Sequence, residues 1–166
     1  MTIELVRIDD RLVHGQIVQG WLKVIDINKI VVVSDEVAND RMQQMLLTMA
    51  VPSNVELEIE TVEDVSVNAL YGKYDRTKTM FLFSNPSDVL DMIENGVGIK
   101  SVNVGGMHFS DGKKQLLCNL SVDNKDVEAL EKIHHKGIEI EGRILPDDDR
   151  IDVFRIIEKE CALNNR

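Results

Sequence analysis

Lys29-Ile30-Val31-Val32-Val33-Ser34-Asp35-Glu36-Val37-Ala38 sets a β-branched run of strand length against a Ser-Asp pair suited to opening a helix. The same alternation repeats along the chain. Ile3–Ile8 reads as a strand before it, and Val55–Ile59, Thr79–Phe83, Ile99–Val104, Gln115–Leu120 and Ile138–Ile144 read as strands after it. Between them lie helical patterns. Ile17, Val18, Trp21, Leu22 and Ile25 form one apolar stripe, and a second helix after Ser34-Asp35 carries Met42, Met45, Leu46 and Met49. Thr61 with Asp64, Asn85-Pro86 and Asp123 supply three further starts, and Gly137 a stop. The carboxylates of Pro146-Asp147-Asp148-Asp149 suit the amino terminus of a final helix. Strand and helix alternating in this way predict an α/β fold: an open, mainly parallel sheet of about seven strands with helices on both faces. The Gly-rich turn at 105–114 joins two strands without a helix and predicts one antiparallel strand. With no repeat and no Pro/Ser-rich linker, residues 1–166 are expected to form a single domain.

Composition narrows the function. At 166 residues and 43% apolar content the chain can build a core without disulfides or a structural metal. Cys118 and Cys161 are far apart and form no C-x-x-C pair, which predicts two buried or partly buried thiols in a reducing compartment. The amino terminus has no signal-peptide pattern, and no stretch approaches the ~18 apolar residues of a membrane span, so a cytoplasmic protein is expected. Twenty-nine acidic against 19 basic side chains give a net charge of −10, which opposes nucleic acid and anionic lipid. An anionic substrate would need a local positive site set against that field.

The loop after the first strand supplies one: Asp9-Asp10-Arg11-Leu12-Val13-His14-Gly15-Gln16. Ligands of open parallel sheets bind beyond the carboxyl ends of strands. Here a guanidinium stands three residues from an imidazole, just before a helix amino terminus whose N–H groups attract anions. Arg11 can fork onto phosphoryl oxygens, and Gly15 lets a phosphate approach the backbone. His14 then reads as a phosphorus nucleophile, because only neutral imidazole can attack and positive neighbours disfavour the imidazolium. On spacing alone a surface or capping histidine is the commoner reading, and R-x-x-H is a weak pattern.

The run Arg7-Ile8-Asp9-Asp10-Arg11-Leu12-Val13-His14-Gly15-Gln16-Ile17-Val18, followed by Trp21, resembles the signature of the IIB components of the mannose/fructose/sorbose class of the phosphotransferase system. The resemblance continues through residues 31–40 and through Val102-Asn103-Val104-Gly105-Gly106-Met107-His108-Phe109 with Gly112-Lys113-Lys114. It implies a phosphohistidine enzyme that takes a phosphoryl group from IIA and gives it to a sugar admitted by the membrane partners IIC and IID. The phosphorylated position falls on His14, through Nδ1 as in the family, and the neighbouring arginine on Arg11. Asp9 and Asp10 are expected to orient Arg11 or the loop, and Gln16 to add a hydrogen bond. Some relatives carry IIA ahead of IIB on one chain; this one starts at its first strand, so a separate IIA donor is expected. A second copy of the chain is a further candidate partner.

Other residues carry two readings each. Asn103, Gly106 and His108 form either a second wall of the cleft or a tight turn with Met107 and Phe109 packed. Asp35 either lines the cleft or caps a helix. His134-His135-Lys136 reads as a solvated helix end, and Met42, Met45 and Met49 as core. Gly96-Val97-Gly98 matches no nucleotide-binding pattern, and no nucleotide, flavin or metal cofactor is expected. Two rival functions stand beside the transferase: a regulatory module that is phosphorylated without serving a sugar, and an unrelated phosphatase or nucleotide-binding α/β protein.

Overall fold

The computed structural model describes residues 3–164, with side chains described through Glu160. Strands β1 (Ile3–Asp9), β2 (Lys29–Val33), β3 (Glu56–Glu60), β4 (Thr79–Phe83) and β5 (Ser101–Gly106) are joined by helical crossovers. These are a π-helical turn (Ile17–Trp21) running into α1 (Leu22–Val24), then α2 (Asp35–Ala38), α3 (Arg41–Ala50), α4 (Val62–Leu70) and α5 (Pro86–Glu94). A hairpin of β6 (Lys114–Leu117) and β7 (Leu120–Val122) follows, then α6 (Asn124–His135), β8 (Glu139–Gly142), β9 (Ile151–Asp152) and α7 (Val153–Asn164). The sheet has seven strands in the order β3-β2-β4-β1-β5-β8-β9, parallel except for β9.

The expected fold class holds, with two strands placed differently. The residues 115–120 do not enter the main sheet; they belong to the separate β6–β7 ribbon. The antiparallel member of the sheet is β9, paired with β8, rather than a strand after the Gly105 turn. The last helix begins at Val153, not in the acidic run. Asp148 instead accepts from the Leu145 N–H at 2.7 Å, closing a turn, and Asp152 accepts from the Arg155 N–H at 3.0 Å at the true helix start.

Strand periodicity sorts the core onto two faces. Val31 and Val33 of β2, with Phe81 and Phe83 of β4, meet α4, α5, α6 and α7 on one side. Ile30, Val32, Met80 and Leu82 meet the π turn and α3 on the other. In β1, Val6 and Ile8 join the first side, so Arg7 and Asp9 face the second, beneath Trp21. The connection leaving β1 thus packs on one face while the helices beside β4 and β5 pack on the other. That divergence opens a crevice at the carboxyl end of β1.

Two core assignments change. The expected helix after Ser34 breaks at Asn39-Asp40, where Asp40 caps a new helix by accepting from Met42 and Gln43 N–H groups. In α3 only Leu47 is buried, while Met42, Met45 and Met49 are 74, 65 and 79% exposed, so these methionines are surface rather than core. Cys118 lies exposed on the ribbon, not buried, and the side chain of Cys161 lies outside the described residues. His134, His135 and Lys136 are exposed at the end of α6 as expected, and His134 also stacks on Phe154 with ring centroids 3.8 Å apart.

Candidate functional site

The carboxyl end of β1 delivers Asp9, fully buried, as the hub of the site. Its Oδ2 accepts from Arg7 Nη2 at 2.9 Å and lies 3.0 Å from His14 Nε2. Its Oδ1 accepts from the Arg11 amide and from Arg11 Nε, both at 3.3 Å. The loop reaches this geometry by an abrupt reversal. Leu12 adopts φ +56°, a left-handed conformation uncommon for a branched residue, and its N–H donates to the Asp9 carbonyl. The strain is held by Leu12 and Val13, which are buried in the second core. Burial alone would push the Asp9 carboxyl up, but the hydrogen bond from His14 and the charges of Arg7, His14 and Arg11 bring it down to about 2.

A carboxylate at Nε2 defines the imidazole tautomer. Asp9 can only accept, so Nε2 carries the proton and Nδ1 the lone pair. A second contact agrees, since the Gln16 N–H donates toward Nδ1 at 3.3 Å. The His14 side chain is 16% exposed, enough to be reached from solvent while its far edge stays anchored. The N–H groups of Ile17 and Val18 donate to the His14 carbonyl, tying the loop to the π turn. Arg11, 40% exposed, lies on the rim and donates from Nη2 to Gln16 Oε1 at 2.7 Å. Gly15 is exposed, and no atom lies within 4 Å of where its Cβ would be.

Of the other expected residues, Asp10 turns away from Arg11 to hold the second loop. Its Oδ2 accepts from the His108 N–H and its Oδ1 meets His108 Nδ1, both at 2.6 Å. Gly106 lies between the two loops. Its carbonyl accepts from the Asp10 N–H, and a Cβ there would sit 3.0 Å from His108 Cε1 and 3.2 Å from Asp9 Oδ1. His108 therefore stands beside the Asp9 end of the cleft. Phe109 is exposed, not packed, while Met107 is buried. Asp35 is occupied elsewhere, accepting from the Val62 N–H at 2.9 Å, and Ser34 caps α2.

Asn103 is buried beneath the site rather than lining it. It stands level with Arg7 on β1 and with Glu141 on β8. Its amide oxygen accepts from Arg7 Nη1 and its nitrogen donates to Glu141 Oε1 at 3.0 Å. Glu141 in turn binds Arg143 through Nη2 and Nε at 2.9 and 3.0 Å. Both guanidiniums approach the Trp21 ring, Arg7 at 5.0 Å and Arg143 at 5.1 Å from its centroid, and its indole N–H donates to the Ile144 carbonyl. Arg7, Glu141 and Arg143 were not singled out from the sequence. The available signal was a polar residue at an inward position of an apolar strand, as in Leu5-Val6-Arg7-Ile8.

Among the described residues no group of His, Cys, Asp and Glu is arranged to hold a metal ion. No helix among them is long and apolar enough to cross a membrane.

Comparison with known proteins gives a consistent result. The chain matches the family described as the PTS system sorbose subfamily IIB component over residues 3–166. It is 41% identical to the PTS system fructose-specific EIIB component of Bacillus subtilis, covering 95% of this chain and 96% of that protein. It is 43% identical to the mannose-specific EIIAB component of Escherichia coli, of which it spans 49%. Among solved structures, the IIBSor domain of the Klebsiella pneumoniae sorbose permease superposes with a TM-score of 0.91 at 34% identity, covering 96% of this chain and 98% of that domain.

Proposed function

The chain belongs to the sorbose-subfamily IIB components of the phosphotransferase system, and on that premise we propose that it carries a phosphoryl group on Nδ1 of His14, between a phospho-IIA donor and an incoming sugar. The observation that carries this reading is the doubly determined tautomer. Asp9 calls for the proton on Nε2, and the Gln16 amide, donating toward Nδ1, calls for the lone pair there.

In the first step that lone pair attacks the donor's phosphorus. The donor N–P bond breaks with its electrons returning to the donor ring, and a new P–Nδ1 bond forms. Positive charge developing on the His14 ring is met by the Asp9 carboxylate through Nε2–H, with no rearrangement needed at the moment of transfer. The Gln16 N–H, already aimed at Nδ1, is placed to receive a phosphoryl oxygen. Arg11, anchored at Nε by Asp9 and at Nη2 by Gln16, brings its planar fork to the same side. In the second step a sugar hydroxyl attacks phosphorus, the P–Nδ1 bond breaks with its electrons returning to Nδ1, and the hydroxyl proton passes to water, which restores the neutral Nε2–H ring. Positioning and charge account for this chemistry, so few residues suffice.

The mannose-specific relative is named for an A and a B part, which supports a IIA donor. The relatives' names specify fructose, mannose and sorbose, which supports a hexose as acceptor. We place the protein at the cytoplasmic face of the membrane, docked on IIC and IID.

The test supplies phosphoenolpyruvate, enzyme I, HPr and a IIA protein to the purified chain. One acid-labile, base-stable phosphoryl group per chain is expected, then its passage to sugar in vesicles bearing IIC and IID. A chain that accepts phosphate but never delivers it would be a regulator. Arg11→Lys keeps the charge but loses the fork, so transfer from phospho-IIA should slow by about 10-fold or more. A wild-type rate in rapid-quench measurements would remove Arg11 from the proposed machinery.

A further inference from the structure

Arg7 is fully buried, with four acceptors around its two terminal nitrogens. Nη1 donates to Asn103 Oδ1 and, at 2.9 Å, to the Arg143 carbonyl; Nη2 donates to Asp9 Oδ2 at 2.9 Å and to the Ile144 carbonyl at 3.3 Å. Trp21 covers one face of the guanidinium. The chain accepts a cost for this group, since its Nε is buried with no hydrogen-bond partner among the described residues. A merely structural core position would be filled more cheaply by an apolar side chain.

What the arrangement accomplishes is read from a single oxygen. Asp9 Oδ2 is the atom that meets both Arg7 Nη2 and His14 Nε2. Wherever Arg7 holds Oδ2, the imidazole must follow. The planar fork fixes that point in two directions at once, because Nη1 is anchored on β5 and on the 143–144 segment. A lysine reaching the same carboxylate could not be clamped in this way.

The backbone has been cleared for it. Gly105 faces Arg7 from the neighbouring strand, and a methyl group there would overlap the guanidinium carbon and both terminal nitrogens. Gly105 shows no positive φ, so its missing side chain answers to the guanidinium rather than to a turn.

We infer that Arg7 is a positioning residue for the transfer: clamped by Asn103, the Arg143 and Ile144 carbonyls and Trp21, it holds Asp9 and through it the tautomer and orientation of His14. The inference rests on the His14 carrier reading. It concerns a residue that touches neither the phosphoryl group nor the imidazole.

Gly105→Ala provides the test, because it drives the guanidinium out while leaving Arg7, Asp9 and His14 unaltered. The readouts are the His14 ring tautomer, from long-range 1H–15N spectra of the unphosphorylated chain at neutral pH, and the rate of transfer from phospho-IIA. Wild type should show Nε2–H. In folded Gly105→Ala that preference should be lost and transfer should fall about 10²-fold, the penalty of a misplacement of about 1 Å. Asn103→Ser, which releases one anchor of the clamp at small volume cost, should move both readouts in the same direction and serves if the first variant does not fold. Retention of either the tautomer or the wild-type rate in a folded variant overturns the assignment. The tautomer comparison needs no phosphoryl donor. A wild-type chain that takes no label would therefore count against the carrier reading while leaving the Arg7–Asp9–His14 linkage separately measurable.

Discussion

His14→Ala will reduce labelling by phospho-IIA to background, a loss of about 10³-fold or more, because the variant removes the atom proposed to bond phosphorus. The demanding control is His108. It too is held by a carboxylate, and it stands beside the same cleft. The two imidazoles are held through opposite nitrogens, however. Asp9 meets Nε2 of His14, which leaves Nδ1 for phosphorus, whereas Asp10 meets Nδ1 of His108, which leaves Nε2. The position of the phosphoryl group on the ring therefore identifies the residue without any mutation. A 1-linked (Nδ1) phosphohistidine in the 15N spectrum of labelled wild type is the expected result. A 3-linked (Nε2) isomer that persists in His14→Ala would transfer the role to His108.

Asp9→Asn will be the most damaging conservative change, in stability as well as in rate. Asparagine occupies the same volume but leaves the fully buried Arg7 without its counter-charge. Removing one member of a buried pair costs about 3–5 kcal/mol, to be read from urea unfolding at neutral pH. The pH dependence provides a second signature. The Asp9 carboxyl lies at about 2 in the folded chain against an ordinary 3.8. As pH falls, the unfolded chain therefore takes up its proton first. The stabilisation is complete above about pH 5 and is lost as pH falls through about 2, amounting to about 2 kcal/mol. Wild type should lose that much more than Asp9→Asn over this interval; parallel curves would show that Asp9 is not the group responsible. Transfer should fall by about 10²–10⁴-fold, as expected when an imidazole loses the carboxylate that fixes its tautomer.

The sequence disclosed the site's face but not its foundations, for a physical reason. His14 and Arg11 are three residues apart in one loop after one strand, so local order alone brings them together, and six of the seven expected strands fall close to where their β-branched runs place them. Arg7, Asn103 and Glu141 share one face of the sheet only because β1, β5 and β8 are neighbours in a particular register. Strand order is set by tertiary packing, so that row of polar residues was invisible. Asp9 was read as a partner of Arg11, which it is, but its contact with His14 depends on the left-handed turn at Leu12. The methionines of α3 show the converse failure. Helical spacing identifies a stripe, but not which side of the helix the sheet will cover, and here the sheet covers Leu47. The acidic run at 147–149 had the charge to start a helix, yet the segment around it is committed to Arg143, whose Nη1 donates to the Pro146 carbonyl.

Trp21 is the chain's sole tryptophan, and two guanidiniums approach its indole, one of which is hydrogen-bonded to Asp9. All tryptophan emission from this molecule thus originates at one point, beside a guanidinium that binds the same carboxylate oxygen as His14. Phosphorylation of His14 will alter that field and with it the fluorescence. Each turn of the transfer cycle would then be visible in real time by its own light, with no dye attached and no radioactive donor.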